Sequence, residues 1–270
     1  LIIENNNFIL EHIAASGQCF RMNKTSGTEY SVIAKGRYLT LKQMEDKKVL
    51  LSCSEEEFME YWSEYFDVAY DYDGIVSSLV TGEDEFLQKA ASYGHGLRIL
   101  RQELFEILIT FIISQRKSIP AIKRCVEELC QRFGEKRTDA ATNTAYYTFP
   151  SPEMLGRADK EALREAGLGY RDEYVRQTAL AVREGDIDLN SLQTLGYEEA
   201  VKELMKLPGV GIKVANCVAL YGLHQIDAFP VDVWIDRILK DVYQNSFDVA
   251  AYKGYAGIVQ QYMFYYIRSL

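Results

Sequence analysis

The sequence predicts an α+β protein: an N-terminal antiparallel β-sheet domain with flanking helices, then a mostly helical, two-lobed body. Three observations carry this. Residues 29–54, "EYSVIAKGRYLTLKQMEDKKVLLSCS", alternate apolar and polar side chains at period two, the mark of half-buried strands. Beyond Ser54 the apolar spacing changes to that of helices. Strands and helices are therefore segregated, with no βαβ alternation and no GxGxxG to suggest a nucleotide-binding sheet.

Residues 1 to about 54 read as strands and turns, and Lys35-Gly36 reads as a hairpin turn. Ser54 ahead of Glu55, Glu56 and Glu57 reads as an N-cap with an acidic first turn. Leu104, Ile107, Leu108, Phe111 and Ile112 share one helical face, and Val126, Leu129 and Phe133 share another. Val201, Leu204 and Met205 form a third, with Glu198 and Lys202 placed to pair at i,i+4. "AATNTAYYTFPSPE", residues 140–153, is the expected connection between the two lobes. The division expected is 1–95 for the sheet domain and 96–270 for the helical body.

A chain of 270 residues with 48% hydrophobic and 26% charged residues reads as soluble and globular. No apolar run reaches the length of a membrane span, and the first residues lack the regions of a signal peptide. The five cysteines, at 19, 53, 125, 130 and 217, make no CxxC pair and no zinc or iron–sulfur spacing. They read as free thiols in a reducing compartment, which leaves the Asn23 sequon without consequence. The net charge of −9 argues against nucleic acid on its face. Yet residues 49–88 contain no Lys or Arg and eleven Asp or Glu, so much of the negative charge is local. A basic surface elsewhere, around Arg116-Lys117 or Lys123-Arg124, is permitted.

The chemistry concentrates in "LPGVGIKVANC", Leu207–Cys217. One helix ends near Leu207, "PGVG" makes a tight turn, and the next helix begins at about Ile212. The first amides of that helix and of the turn have no intrahelical partner, an arrangement that binds phosphate. The motif is a helix–hairpin–helix, with Gly209, Gly211 and Val214 as candidate DNA-backbone contacts. Lys213 sits at the positive end of the helix among apolar neighbours. Both surroundings disfavour the ammonium and favour a nucleophilic amine. Further on, "AFPVDVWIDRIL" places Asp232 as an N-cap, where a carboxylate stays ionised and can stabilise a developing cation. Ordinary readings stand beside these: a snorkelling lysine, a plain helical hairpin, a capping aspartate.

"LPGVGIKVANCVALYGLHQIDAFPVDVW" resembles the helix–hairpin–helix–Gly/Pro–Asp core of base-excision DNA glycosylases, and within them the 8-oxoguanine DNA glycosylase/AP lyase branch. A lysine at the nucleophile position marks the bifunctional members. "SGQCFRM" (16–22) resembles the loop whose glycine carbonyl senses the N7 proton of 8-oxoguanine, which carries over Gly17. "LREAGLGYRDEYV" (163–175) resembles the segment that wedges into the duplex and reads the orphaned base, which carries over Tyr170 and Arg171. "GYAGIVQQYMF" (254–264) resembles the pocket helix. There Gln260 would bond the Watson–Crick edge of the flipped base and Phe264 would stack on it, with Cys217 as the opposite wall.

The resemblance implies base flipping into a slot. It implies attack by Lys213 on C1′, support of the cationic sugar by Asp232, and a Schiff base that eliminates the 3′ phosphate. Discrimination from guanine rests on one hydrogen bond gained against one repulsion, worth roughly a few kcal/mol. No metal or other cofactor is implied. The partner implied is double-stranded DNA containing 8-oxoguanine, with no membrane, and the protein is expected as a monomer in the cytoplasm of a bacterial or archaeal cell. Departures from the family pattern lie in "SQRKSIPAIKR" (114–124). Arg116 and Lys117 stand where an asparagine run fills the gap left by the flipped base. Ala121 replaces an arginine that reads the opposite cytosine. Trp234 stands in place of a phosphate-contacting histidine. These changes point to a bacterial-type branch with relaxed opposite-base preference. Three alternatives remain at this level: a glycosylase for another base, such as an alkylated one, a non-catalytic DNA-binding module, and a helical interaction protein.

Overall fold

The computed structural model describes residues 1–45 and 47–270. Five strands, β1 (Ile2–Glu4), β2 (Met22–Ser26), β3 (Glu29–Ala34), β4 (Arg37–Gln43) and β5 (Lys48–Leu51), form one antiparallel sheet in the order β1-β5-β4-β3-β2. Lys35 and Gly36 both take positive φ, 48° and 72°, as the tight β3–β4 hairpin requires. The alternation puts Tyr30, Val32, Leu39, Leu41, Val49 and Leu51 on one buried face. Against it pack the helix Leu10–Ala15 and the segment opened by Ser54, which contributes Phe58, Trp62, Tyr65 and Phe66.

One local expectation in this half is corrected and one is extended. Residues 1–54 are not all strand and turn: Leu10–Ala15 is helical, a stretch too short to display its period against the surrounding alternation. Ser54 does cap, accepting from the Glu57 amide at 3.1 Å. The helix it starts then passes through a π-helical turn at Phe58–Trp62, which turns Phe58 and Trp62 inward.

The helical body has its own core. The helix Leu104–Ser114 is buried along nearly its whole length and runs through the centre. Around it lie Ile119–Phe133, Asp172–Glu184, Ile212–Tyr221 and Ala256–Ile267. Although they precede residue 96, the helices Tyr72–Val80 and Glu85–Tyr93 bury Tyr72, Leu79, Leu87 and Ala90 in this same core. Met205 is exposed, so the third apolar face is only Val201 and Leu204. No ion pair joins Glu198 to Lys202 among the described residues. The 140–153 segment is more than a connection. β6 (Lys136–Thr138) and β7 (Ala145–Tyr147) form a hairpin there. Tyr146 donates to the Gly36 carbonyl at 3.0 Å, fixing that hairpin to the main sheet.

Candidate active site

The turn between the helices Tyr197–Leu204 and Ile212–Tyr221 is shaped by one glycine. Gly209 has φ +77°, and a Cβ there would lie 2.6 Å from the Tyr174 ring. Of the turn amides, Val210 donates to Leu207 O, and Ala215 makes the first helical bond, to Gly211 O at 2.9 Å. The amides of Gly209, Gly211, Ile212, Lys213 and Val214 have no acceptor among the described residues. A row of free N–H groups at a helix start is an anion site. Gln115, just past the central helix, braces the turn by donating to Gly209 O at 3.0 Å. A cleft of ≈ 490 Å³ runs along the turn between Gln115, Arg116, Tyr170, Tyr174, Gly209 and Gly211.

A larger cleft of ≈ 890 Å³ adjoins it, sharing Gln115 and Arg116. Four candidates read from separate parts of the sequence meet on its wall: Gly17, Lys213, Asp232 and Phe264. Arg116, Lys117 and Arg268 add positive charge and Asp236 a second carboxylate, so the cleft is cationic in a chain of net charge −9. Lys213 is half-buried, with Nζ 5.5 Å from the centroid of the Phe111 ring, and no carboxylate among the described residues lies within 4.0 Å of it. Asp232 caps the helix Val233–Asp241: its Oδ1 accepts from the amides of Trp234 at 3.0 Å and Ile235 at 2.9 Å. Oδ2 has no hydrogen-bond partner among the described residues.

The remaining pocket candidates lie one turn inside the wall. Cys217 follows Lys213 by one helical turn and is buried. Burial pushes its thiol up to about 11, a rise that Lys213 opposes and Asp232 reinforces. Gln260 precedes Phe264 by one turn and is also buried. Its Nε2 donates to Pro230 O at 3.0 Å, while its Oε1 is buried with no partner. Gly17 has φ +77°, and a Cβ would meet the Phe264 ring at 3.3 Å. Its carbonyl accepts no hydrogen bond among the described residues.

Family models match nearly the whole chain. Residues 1–108 match the "8-oxoguanine DNA glycosylase, N-terminal domain" and residues 109–256 the "HhH-GPD superfamily base excision DNA repair protein". The chain belongs to this superfamily, in its 8-oxoguanine DNA glycosylase branch. An N-glycosylase/DNA lyase of Saccharomyces cerevisiae is 33% identical over 91% of this chain and 71% of the yeast protein. A probable N-glycosylase/DNA lyase of Methanothermobacter thermautotrophicus is 32% identical, over 75% of this chain and 72% of that one. Among solved structures, the 8-oxoguanine glycosylase/lyase of Clostridium acetobutylicum, in complex with double-stranded DNA containing cytosine opposite 8-oxoguanine, superposes with TM-score 0.92. It is 33% identical and covers 100% of this chain and 98% of that one.

Within this glycosylase frame the wedge candidates part company. Tyr170 is 55% exposed on the smaller cleft, whereas Arg171 is buried. Arg171 donates to Leu168 O at 3.2 Å and to Gln115 O, and its guanidinium lies 4.3 Å from the Tyr170 ring centroid. It lines neither cleft. Val214 is buried as well, so only its backbone amide is offered to a ligand. Trp234 is 38% exposed and lines the larger cleft, and Ala121, on the helix Ile119–Phe133, lines neither cleft. Sequence reasoning passed over Gln115, Phe111 and Arg268. Gln115 had a signal, a polar residue directly after an almost wholly apolar helix. Phe111 had none, since its face is that of any core helix. Among the described residues no group of three His, Cys, Asp or Glu is placed to hold a metal ion, and no helix is long and apolar enough to cross a membrane.

Proposed function

We propose that this protein excises 8-oxoguanine from duplex DNA and nicks the resulting abasic strand through a Schiff base on Lys213. The observation that carries the reading is the convergence of Gly17, Lys213, Asp232 and Phe264 on one cleft beside a hairpin of unpaired amides. The hairpin holds the backbone through the amides of Gly209, Gly211 and Val214, a contact without sequence information. The damaged nucleotide turns out into the cleft between Phe264 and Cys217. The free Gly17 carbonyl accepts N7–H, which guanine lacks. Gln260 Oε1, unsatisfied in the free protein, accepts from the Watson–Crick edge.

The Lys213 amine forms a bond to C1′ as the C1′–N9 bond breaks, and the base leaves with the electron pair and takes up a proton. Asp232 faces the positive charge that develops on the sugar, its carboxylate fixed in place by two backbone amides. Sugar opening gives the protonated Schiff base, loss of a C2′ proton expels the 3′ phosphate, and hydrolysis returns the lysine. Tyr170 enters the space left in the duplex, with Arg171 behind it. The protein acts as a monomer, in the cytoplasm of a bacterial or archaeal cell. Its chain divides into a sheet unit, 1–95, and a helical unit, 96–270, with the helices before residue 95 packed across the junction.

The test is a borohydride trap on an 8-oxoguanine duplex. A covalent adduct forms with the wild type and is lost in Lys213→Gln. No adduct, or one that survives the substitution, overturns the mechanism.

A further inference from the structure

The loop that presents the Gly17 carbonyl is held from two directions. On one side the buried Gln18 donates to Arg98 O at 2.6 Å and to Ser16 Oγ at 3.0 Å, and accepts from the Leu100 amide at 2.8 Å. These bonds fix the loop to the segment 98–100. On the other side lies Gln261, fully buried on the C-terminal helix next to Gln260. Its Nε2 donates to Ser16 O, the carbonyl directly before Gly17, at 2.7 Å. Its Oε1 accepts from the Tyr221 hydroxyl. Tyr221 ends the helix that carries Lys213 and Cys217. Its ring stacks on Phe111 with centroids 5.4 Å apart, the same ring that lies under Lys213 Nζ.

We infer that Tyr221 and Gln261 form a positioning relay that sets the Gly17 carbonyl at hydrogen-bonding distance from the lesion's N7–H, and so govern damage recognition and not strand cleavage. This rests on the functional reading above. A phenol can serve the relay by donating, which orients the amide with its oxygen toward Tyr221 and its nitrogen toward Ser16. A primary amide accepts from one group and donates to the other in that space. The relay is one of two hydrogen-bonded links between the nucleophile's helix and the sensing loop. The other runs through Gln102, whose backbone amide donates to Tyr221 O at 3.4 Å and whose Nε2 donates to Gln18 O at 2.9 Å. Of the two, only the relay holds the carbonyl directly before Gly17. Without it Gln18 keeps its bonds to Arg98, Leu100 and Gln102, but Ser16 O loses its tie to the C-terminal helix and the Gly17 carbonyl loses its register with the cleft. A hydrogen bond weakens steeply with distance and angle, so a small drift costs recognition. Neither residue lines the cleft, and the polar groups of both are already engaged, the Tyr221 hydroxyl with Gln261 and the Gln261 amide with Tyr221 and Ser16.

The experiment compares two reactions of the same variants: excision from an 8-oxoguanine duplex under single turnover, and cleavage of a duplex carrying a preformed abasic site. Tyr221→Phe removes one hydroxyl and leaves the stacking ring. Gln261→Met keeps the length and removes both bonds. Both should lower excision about ten- to a hundred-fold, the value of one or two lost hydrogen bonds, while abasic-site cleavage changes less than about two-fold. The double variant should lose little more than the worse single one, because both act through one link. Parallel loss of both reactions, or excision unchanged in Tyr221→Phe and in Gln261→Met, overturns the relay. Failure of the functional reading is separately visible as a wild type that cleaves abasic DNA yet leaves 8-oxoguanine in place.

Discussion

Gln260 is tied to Pro230, Nε2 to O at 3.0 Å, so the side chain beneath the cleft is anchored to the segment that leads into Asp232. Half of that amide is satisfied and half is not, because Oε1 is buried without a donor. A buried acceptor left empty costs stability in the free protein, and a base that donates to it recovers that cost on binding. Gln260→Met should therefore change thermal stability little while slowing 8-oxoguanine excision by at least about ten-fold. Paired melting and single-turnover measurements check this. A large drop in melting temperature with unchanged excision would assign Gln260 to the core alone.

Gly209→Ala tests the hairpin. The new Cβ would occupy space held by the Tyr174 ring, at a φ that alanine rarely adopts. The expected loss is about 1–3 kcal/mol of stability, together with weaker binding to undamaged duplex. The salt dependence of binding should flatten as amide–phosphate contacts are lost. Fluorescence anisotropy over a salt series measures it.

Opposite-base preference should be relaxed. Arg171 is committed to Leu168 O and Gln115 O, and position 121 is an alanine with no donor to offer a base. Excision rates from duplexes with cytosine, thymine, adenine or guanine opposite the lesion should fall within about ten-fold of one another. A steep requirement for cytosine would refute this.

Glu106 predicts an alkaline-side weakness. Burial pushes its carboxyl up to about 7, with Arg21 opposing the rise and Glu103 adding to it. An acid whose folded-state value is raised stays protonated in the native state while the unfolded chain has already released the proton. Stability on this account falls as pH rises from about 4.5 through 7. Glu106→Gln should match the wild type near pH 4 and exceed it above about pH 7. Melting temperatures across that range give the answer, and a constant offset between the two proteins would refute it.

The sheet, the hairpin and the candidate pair Lys213 and Asp232 were legible because each has a local cause. Alternation marks β3 and β4, positive φ demands the glycines at 36 and 209, and a capping aspartate must stand where Asp232 stands. Gly17, Cys217, Gln260 and Phe264 were legible only through likeness to a family, since a lone glycine or phenylalanine carries no local signal of a pocket. What remained hidden depends on contacts between distant segments. Gln115 reaches Gly209, and Gln261 reaches Ser16 across almost the whole chain. The short helix Leu10–Ala15 was hidden for another reason, as fewer than two turns do not establish a period.

The chain has two tryptophans, and they differ sharply in surroundings. Trp62 is sealed in the sheet core with its indole nitrogen donating to Glu57 at 3.0 Å, while Trp234 stands 38% exposed at the mouth of the larger cleft. Emission quenchable by iodide therefore comes from Trp234. The molecule carries an optical gauge of cleft occupancy that needs no label, and stopped-flow emission can time the arrival of an extruded base apart from the chemistry that follows.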